Sequence, residues 1–140
     1  MSPRPRDVAI SEATGGRVTD AMAVLEAAML EVDAGRVRTL AGGAADGAVL
    51  IATTGDHESR SLAGGVVLGA LVLDGRRIEA LAVRPRRRGQ GIGSALVRAA
   101  RDRADGHLIA AFDAHLREFY ERLGFAVDPI GEARYRGRLE

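Results

Sequence analysis

Apolar residues change period several times along this chain, and each change marks an element. Val8 to Ile10 give a short first strand. Gly15 and Gly16 interrupt the chain, and Thr19 is placed to cap a helix, because its hydroxyl can accept a bond from an unpaired N–H. Val18, Met22, Leu25, Met29 and Val32 then recur three or four residues apart, with Ala21 and Ala28 in the same stripe. That is amphipathic-helix spacing. Gly35 is expected to end the helix, and a short second helix is predicted around Val37 to Ala41. Ala48 to Thr53 reads as a strand and residues 55–60 as a polar loop. Gly65 to Leu73 is apolar throughout, as in a strand buried on both faces. Asp74-Gly75 is a two-residue hairpin signal, and Ile78 to Val83 returns as the antiparallel partner. Ile92, Leu96, Val97, Ala100 and Ala104 form a second helical stripe, stopped by Gly106. His107 to Phe112 reads as a strand, and a strand–helix–strand unit makes 78–83 and 107–112 parallel. Residues 114–123 form a short helix with Leu116, Phe119, Tyr120 and Leu123 on one face, capped by Gly124. Phe125 to Val127 and Ala133 to Leu139 are closing strands.

The predicted class is therefore α/β (α+β mixed). It has a single central mixed, mostly antiparallel sheet of about six or seven strands, with three or four helices on its faces. No repeat, linker or low-complexity segment divides residues 1–140, so one domain is expected, with residues 1–6 as a loose end. Hydrophobic content of 46% and charged content of 28% suit a globular protein. The net charge of +1 argues against a polyanion binder as a whole. Cysteine is absent, which excludes disulfides, thiolate zinc sites and a cysteine nucleophile. His57, His107 and His115 are scattered, and no metal site is expected. No apolar run reaches the ~18 residues of a membrane span, and the first ten residues lack the apolar core of a signal peptide. A cytoplasmic protein is expected. All 20 basic residues are arginine. Lysine and asparagine, which have AT-rich codons, are missing, so a GC-rich bacterial source is expected.

The candidate chemistry concentrates in residues 78–96, IEALAVRPRRRGQGIGSAL. An apolar strand meets a basic, glycine-spaced loop that opens into a helix. Helix-start N–H groups are unpaired and carry partial positive charge, which suits phosphate. Gly91 and Gly93 lack the Cβ atoms that would hold a phosphate off. Arg84, Arg86, Arg87 and Arg88 add full charge. A plain turn would look similar. A dinucleotide-binding turn would use Gly89, Gly91 and Ser94 with Asp113 on a ribose. Against that, five residues, Arg84 to Arg88, separate strand from turn, and an antiparallel hairpin precedes the strand. An arginine-rich RNA-binding module would need stacking aromatics, and the loop has none.

The stretch Val83-x-Pro85-x-x-Arg88-Gly89-x-Gly91-Ile92-Gly93-Ser94-x-Leu96 closely resembles the acyl-CoA loop of the GNAT superfamily of N-acyltransferases. Arg88, Gly91 and Gly93 fill its pattern of Arg or Gln, two residues, Gly, one residue, then Gly or Ala. A second signature of that superfamily stands as Phe119-Tyr120-Glu121-Arg122-Leu123-Gly124-Phe125. The resemblance covers residues 47–127 in detail and the other elements by order.

It implies acetyl-CoA as acyl donor and no metal. The loop Arg88 to Ser94, through the amides of Gln90, Gly91, Gly93 and Ser94, would hold the pyrophosphate, with Gly89 and Ile92 completing the turn. Leu81, Ala82 and Val83 would pair with the pantetheine amides, and a backbone N–H there would meet the oxyanion. Tyr120 would protonate the departing thiolate; its alternative reading is a core aromatic. Asp113 stands at a cofactor position where many members have asparagine. Ionised, it cannot donate a hydrogen bond; its alternative reading is a cap on the next helix. Glu79 resembles the glutamate proposed as base in polyamine acetyltransferases, directly or through water, with burial raising its proton affinity. Its other reading is a strand carboxylate paired with Arg77. His115 and His57 are weaker candidates for the base.

The expected reaction is acetyl transfer to a primary amine in a ternary complex, the acceptor being a small molecule or a peptide. No nucleic acid or membrane partner is expected. Many relatives of this kind pair as dimers, which makes a homodimer one candidate assembly, though no residue fixes it. The acceptor would be set by Val32 to Gly47 and Asp128 to Glu140. A noncatalytic CoA-binding domain is the main alternative.

Overall fold

The structure is a computed structural model and describes residues 8–28, 32–43, 46–54, 66–87, 89–104 and 106–140. In chain order the elements are β1 (Val8–Glu12), α1 (Gly16–Ala27), α2 (Ala34–Ala41), β2 (Ala48–Thr54), β3 (Val67–Asp74), β4 (Arg77–Val83), α3 (Ile92–Arg103), β5 (Leu108–Asp113), α4 (Arg117–Arg122), β6 (Ala126–Gly131) and β7 (Arg134–Leu139). The strands form one seven-stranded sheet in the order β1-β2-β3-β4-β5-β7-β6. Every pairing is antiparallel except β4 with β5. This is the mixed, mostly antiparallel sheet read from the sequence. Among the described residues, no helix is long and apolar enough to cross a membrane.

Two apolar cores lie on opposite faces of the sheet. On one, Val18, Met22 and Leu25 of α1 and Val37 and Leu40 of α2 pack on Val49, Ile51, Ala70, Val72, Ala80 and Ala82. On the other, Ile92, Leu96 and Ala100 of α3 and Tyr120 of α4 pack on Leu50, Leu71, Leu73, Ile78 and Phe112. Successive strand residues point to opposite faces, so β3, buried along nearly its whole length, feeds both cores. That explains why its sequence shows no alternation. Gly69 fixes how close α3 can come. A Cβ there would sit 3.1 Å from the Ala82 carbonyl oxygen and 3.2 Å from both Ile92 Cγ2 and Leu96 Cδ1.

Several boundaries differ from the sequence reading. Thr19 does not cap α1. Gly15, at φ 55°, stands at the N-cap with no side-chain bond, and Thr19 lies inside the helix, where its hydroxyl accepts from Arg38 Nη2 at 3.5 Å. Gly35 does not end a helix. It sits in the first turn of α2, whose cap is Asp33 accepting the Arg36 N–H at 3.1 Å. The β3–β4 hairpin turns on Gly75-Arg76, since Asp74 pairs with Arg77. Gly75, at φ 59°, takes the first central position, where a type II′ turn needs glycine. Met29, residues 55–60, Gly65, His57 and Arg88 lie outside the described residues.

The Gly69 contacts give the first prediction. Gly69→Ala should destabilise the protein by about 1–3 kcal/mol, because one neighbour is backbone and cannot turn aside. That exceeds the gain of roughly 0.4–1 kcal/mol from a stiffer unfolded chain. A lower urea midpoint with an unchanged m-value would show it; an unchanged midpoint would mean that α3 can retreat without loss.

Candidate active site

The site begins where β4 leaves its parallel neighbour. Only Arg77 with Ile109 and Ile78 with Ala110 are in register between β4 and β5. Among the described residues, β4 has β3 on one side and no strand on the other from Ala80 to Ala82. A bulge marks the place. Val72 pairs with Ala80 and Leu73 with Ile78, so Glu79 is the extra residue. A bulge bends its strand and re-aims its side chains, and this one falls directly after the last β4–β5 pair. The predicted segment Leu81, Ala82 and Val83 lies just beyond, on the strand that borders the gap.

Helix α3 starts past the end of β4. Its N-cap is Gly91, in the left-handed region at φ 82°, and among the described residues no side chain caps it. Gly89 is also left-handed, at φ 78°. The first intrahelical bond runs from the Ala95 N–H to the Gly91 carbonyl at 3.0 Å. The amides of Ile92, Gly93 and Ser94 therefore precede the hydrogen-bonded helix, while the Ile92 side chain is buried. Gln90 is exposed. Of the loop arginines, Arg84 is tied down, its Nε donating to the Val67 carbonyl at 2.9 Å, and Arg86 is exposed.

The second signature meets the first at Gly93. A Cβ on Gly93 would lie 3.3 Å from Phe119 Cζ and 3.7 Å from Val83 Cγ2. The end of β4, the start of α3 and the aromatic pair of α4 thus converge. Tyr120, beside Phe119, is 3% exposed. Its ring stacks on Phe112 at 4.3 Å between centroids and meets Phe119 and Phe125 edge-on at 5.1 Å. Burial pushes its phenol up to about 12. Among the described residues no wholly buried side-chain oxygen or nitrogen lacks a partner. Tyr120 is packed as a core aromatic.

The family model of the acetyltransferase (GNAT) domain matches residues 45–127, more than half of the chain. The chain belongs to the GNAT acetyltransferase family. Solved GNAT structures share its fold at low identity. A GNAT-family protein from Desulfovibrio desulfuricans is 22% identical with a TM-score of 0.70, over 95% of this chain and 98% of that one. A GNAT acetyltransferase from Staphylococcus aureus Mu50 is 11% identical with a TM-score of 0.70, over 95% and 99%. YncA of Salmonella typhimurium, solved with its cofactor acetyl-CoA, is 18% identical with a TM-score of 0.62, over 96% and 92%. No curated protein matches the chain.

In this GNAT domain Glu79 lies on the sheet face opposite Tyr120. It is not buried as expected; its side chain is 29% exposed. Its Oε1 accepts from Arg36 Nη2 at 3.0 Å and pairs with Arg77 Nη2 at 3.2 Å. Arg36 Nη2 also binds Asp74, and Arg77 reaches Asp74 at 3.6 Å. The hydrogen bond and charge of Glu79, then the charge of Asp74, push the Arg36 guanidinium above its ordinary range. Val72, Glu79 and Ala80 floor a cavity of about 230 Å³, walled by Val32, Asp33, Arg36, Val37 and Leu40. The sequence pointed to Val32 to Gly47 as a region but gave no signal for Arg36, whose partners lie 38 and 43 residues away. Asp113 is exposed at the end of β5. It does not cap the turn that follows; its Oδ1 accepts from Arg134 Nη1 at 2.8 Å. His115 is exposed in that turn.

The Tyr120 phenol gives a prediction with a definite sign. The folded state keeps its proton up to about 12, against 10.0 for the ordinary group. Above pH 10 the unfolded chain binds fewer protons, so stability falls as pH rises from 10 to 12, by roughly 2–3 kcal/mol. Below pH 10 this contribution is fully present. Urea unfolding across that range should show the fall in wild type and a shallower one in Tyr120→Phe. Equal slopes would mean that the phenol titrates normally.

Proposed function

We propose that this protein transfers an acetyl group from acetyl-CoA to a primary amine by direct attack. The observation that carries this is the conjunction of uncapped α3 amides with a β4 edge that borders a gap instead of a strand. Those amides suit a diphosphate, and an open strand edge suits an extended chain of amides such as pantetheine. The residues present thus fit acetyl-CoA. Gly91, Gly93 and Ser94 would take its phosphates and Leu81 to Val83 its amide arm. When bound, it would supply the thioester that is attacked.

The chain's own groups would then manage protons. An alkylammonium of pKa ~10 is about 0.1% neutral at pH 7, so a base matters. Glu79 stands at the bulge, where it can take a proton from the incoming ammonium directly or through water. The amine nitrogen bonds to the carbonyl carbon, the carbon–sulfur bond breaks, and the sulfur needs a proton or a hydrogen bond. Tyr120 is the nearest phenol to the convergence of β4, α3 and α4. A phenol held near 12 keeps its proton beside a thiolate whose ordinary value is about 8.5. It therefore serves best as a hydrogen-bond donor to the developing charge, with water completing the transfer. No cysteine exists to carry an acyl-enzyme.

Acetyl-CoA should raise the melting temperature of wild type and leave that of Gly91→Glu unmoved, with far-UV circular dichroism confirming that the variant folds. A full shift in Gly91→Glu would put the phosphates elsewhere. Tyr120→Phe should lower kcat by about 10²-fold while KM for acetyl-CoA changes little. Unaltered turnover would leave Tyr120 as packing alone. Binding without turnover on any amine in a broad panel would mark a noncatalytic CoA-binding domain.

A further inference from the structure

We propose that the cavity beneath α2 takes a monocationic primary amine with an apolar body, and that Arg36 sets this preference by occupying the ammonium position at Glu79 until the amine arrives. This rests on the acetyl-transfer reading. The cavity has one charged end and an apolar remainder. At the charged end Arg36 Nη2 lies 3.0 Å from Glu79 Oε1. The rest is formed by Val32, Val37, Leu40, Val72 and Ala80, with Asp33 as a second carboxylate on the wall. A ligand matching both parts carries a cationic head next to an apolar body.

Charge narrows the class. Asp33, Arg36 and Glu79 line the cavity, and Asp74 and Arg77 complete the adjoining ion-pair cluster, three carboxylates with two guanidiniums. The sum is −1. A monocation brings it to zero, a zwitterion leaves it at −1, and a dication overshoots to +1. Size narrows it further. A cavity of about 230 Å³ equals the liquid share of roughly eight waters, enough for a phenyl or hexyl group.

Arg36 is built to yield. Its Nη2 contacts both Glu79 and Asp74, so it can release Glu79 and keep Asp74 without stranding its own charge. Its side chain is half exposed, at 49%, and such pairs are individually weak. The amine's head would then hold the Glu79 oxygen that Arg36 gave up, on the residue that bulges where β4 leaves β5.

The test uses the full chain with 2-phenylethylamine as probe and L-phenylalanine, spermidine and phenylacetate as comparisons. Binding is measured by calorimetry without acetyl-CoA, and KM and kcat with it. Wild type should bind 2-phenylethylamine at least about tenfold more tightly than the other three, one factor of ten being about 1.4 kcal/mol. Arg36→Met, with similar helix propensity, should lower Kd and KM for 2-phenylethylamine about two- to fivefold and leave KM for acetyl-CoA alone. Arg36→Lys should return both to wild-type values, which a purely structural role would not require. Leu40→Trp, filling the cavity, should lose the amine and keep acetyl-CoA. Weaker or unchanged amine binding in Arg36→Met, or L-phenylalanine or spermidine preferred by wild type, overturns the assignment. If acetyl-CoA neither binds nor is consumed, the acetyl-transfer reading fails, and the calorimetry on 2-phenylethylamine still decides the cavity.

Discussion

Two backbone pairs hold β4 to β5, and then the strands part. A continuous ladder would have used every N–H and C=O of β4 on protein partners. Stopping it at Ile78 gives up those bonds on one side from Ala80 to Ala82, and backbone groups left that way need water or a ligand. The sheet pays its way elsewhere. β3 is locked between β2 and β4 over nearly its whole length, and both apolar cores close on it. The opening is therefore flanked by the most deeply packed part of the molecule, which keeps its edges in place.

The same opening separates two kinds of chemistry. Tyr120 sits among aromatic rings on the α3/α4 face, where burial favours the neutral phenol. Glu79 sits among guanidiniums on the α1/α2 face, where charge surrounds it. An aromatic side and an ionic side thus flank one gap between strands. Neither environment would suit the other's group. A phenol among arginines would lose its burial, and a carboxylate among Phe112, Phe119 and Phe125 would be stranded.

Elements whose signals are local were legible in the sequence. The β3–β4 hairpin, the glycine-spaced start of α3 and the Phe119–Phe125 segment are each fixed by residues within a few positions of one another. What depended on contacts across the fold was not. Thr19 looked like a cap because hydroxyl residues favour that place, yet α1 starts on Gly15 with no side-chain cap at all. Gly35 looked like a stop because glycine often follows a helix, although Asp33, which caps α2 through the Arg36 N–H, was the readable start signal. The turn lies one residue later than Asp74-Gly75, and the bulge at Glu79 cannot be seen without the register of β3 against β4. The ion pairs of Arg36 span 38 and 43 residues, and no window along the chain contains them.

Every cation in the described ion pairs is a guanidinium, and the chain has no lysine at all. Guanidiniums stay protonated at any pH the fold tolerates and are poor nucleophiles. An acetyltransferase with this composition presents no side-chain amine of its own. Its donor would find no lysine on its surface to modify, and amine-directed labelling reagents would likewise find none of its side chains to attach to.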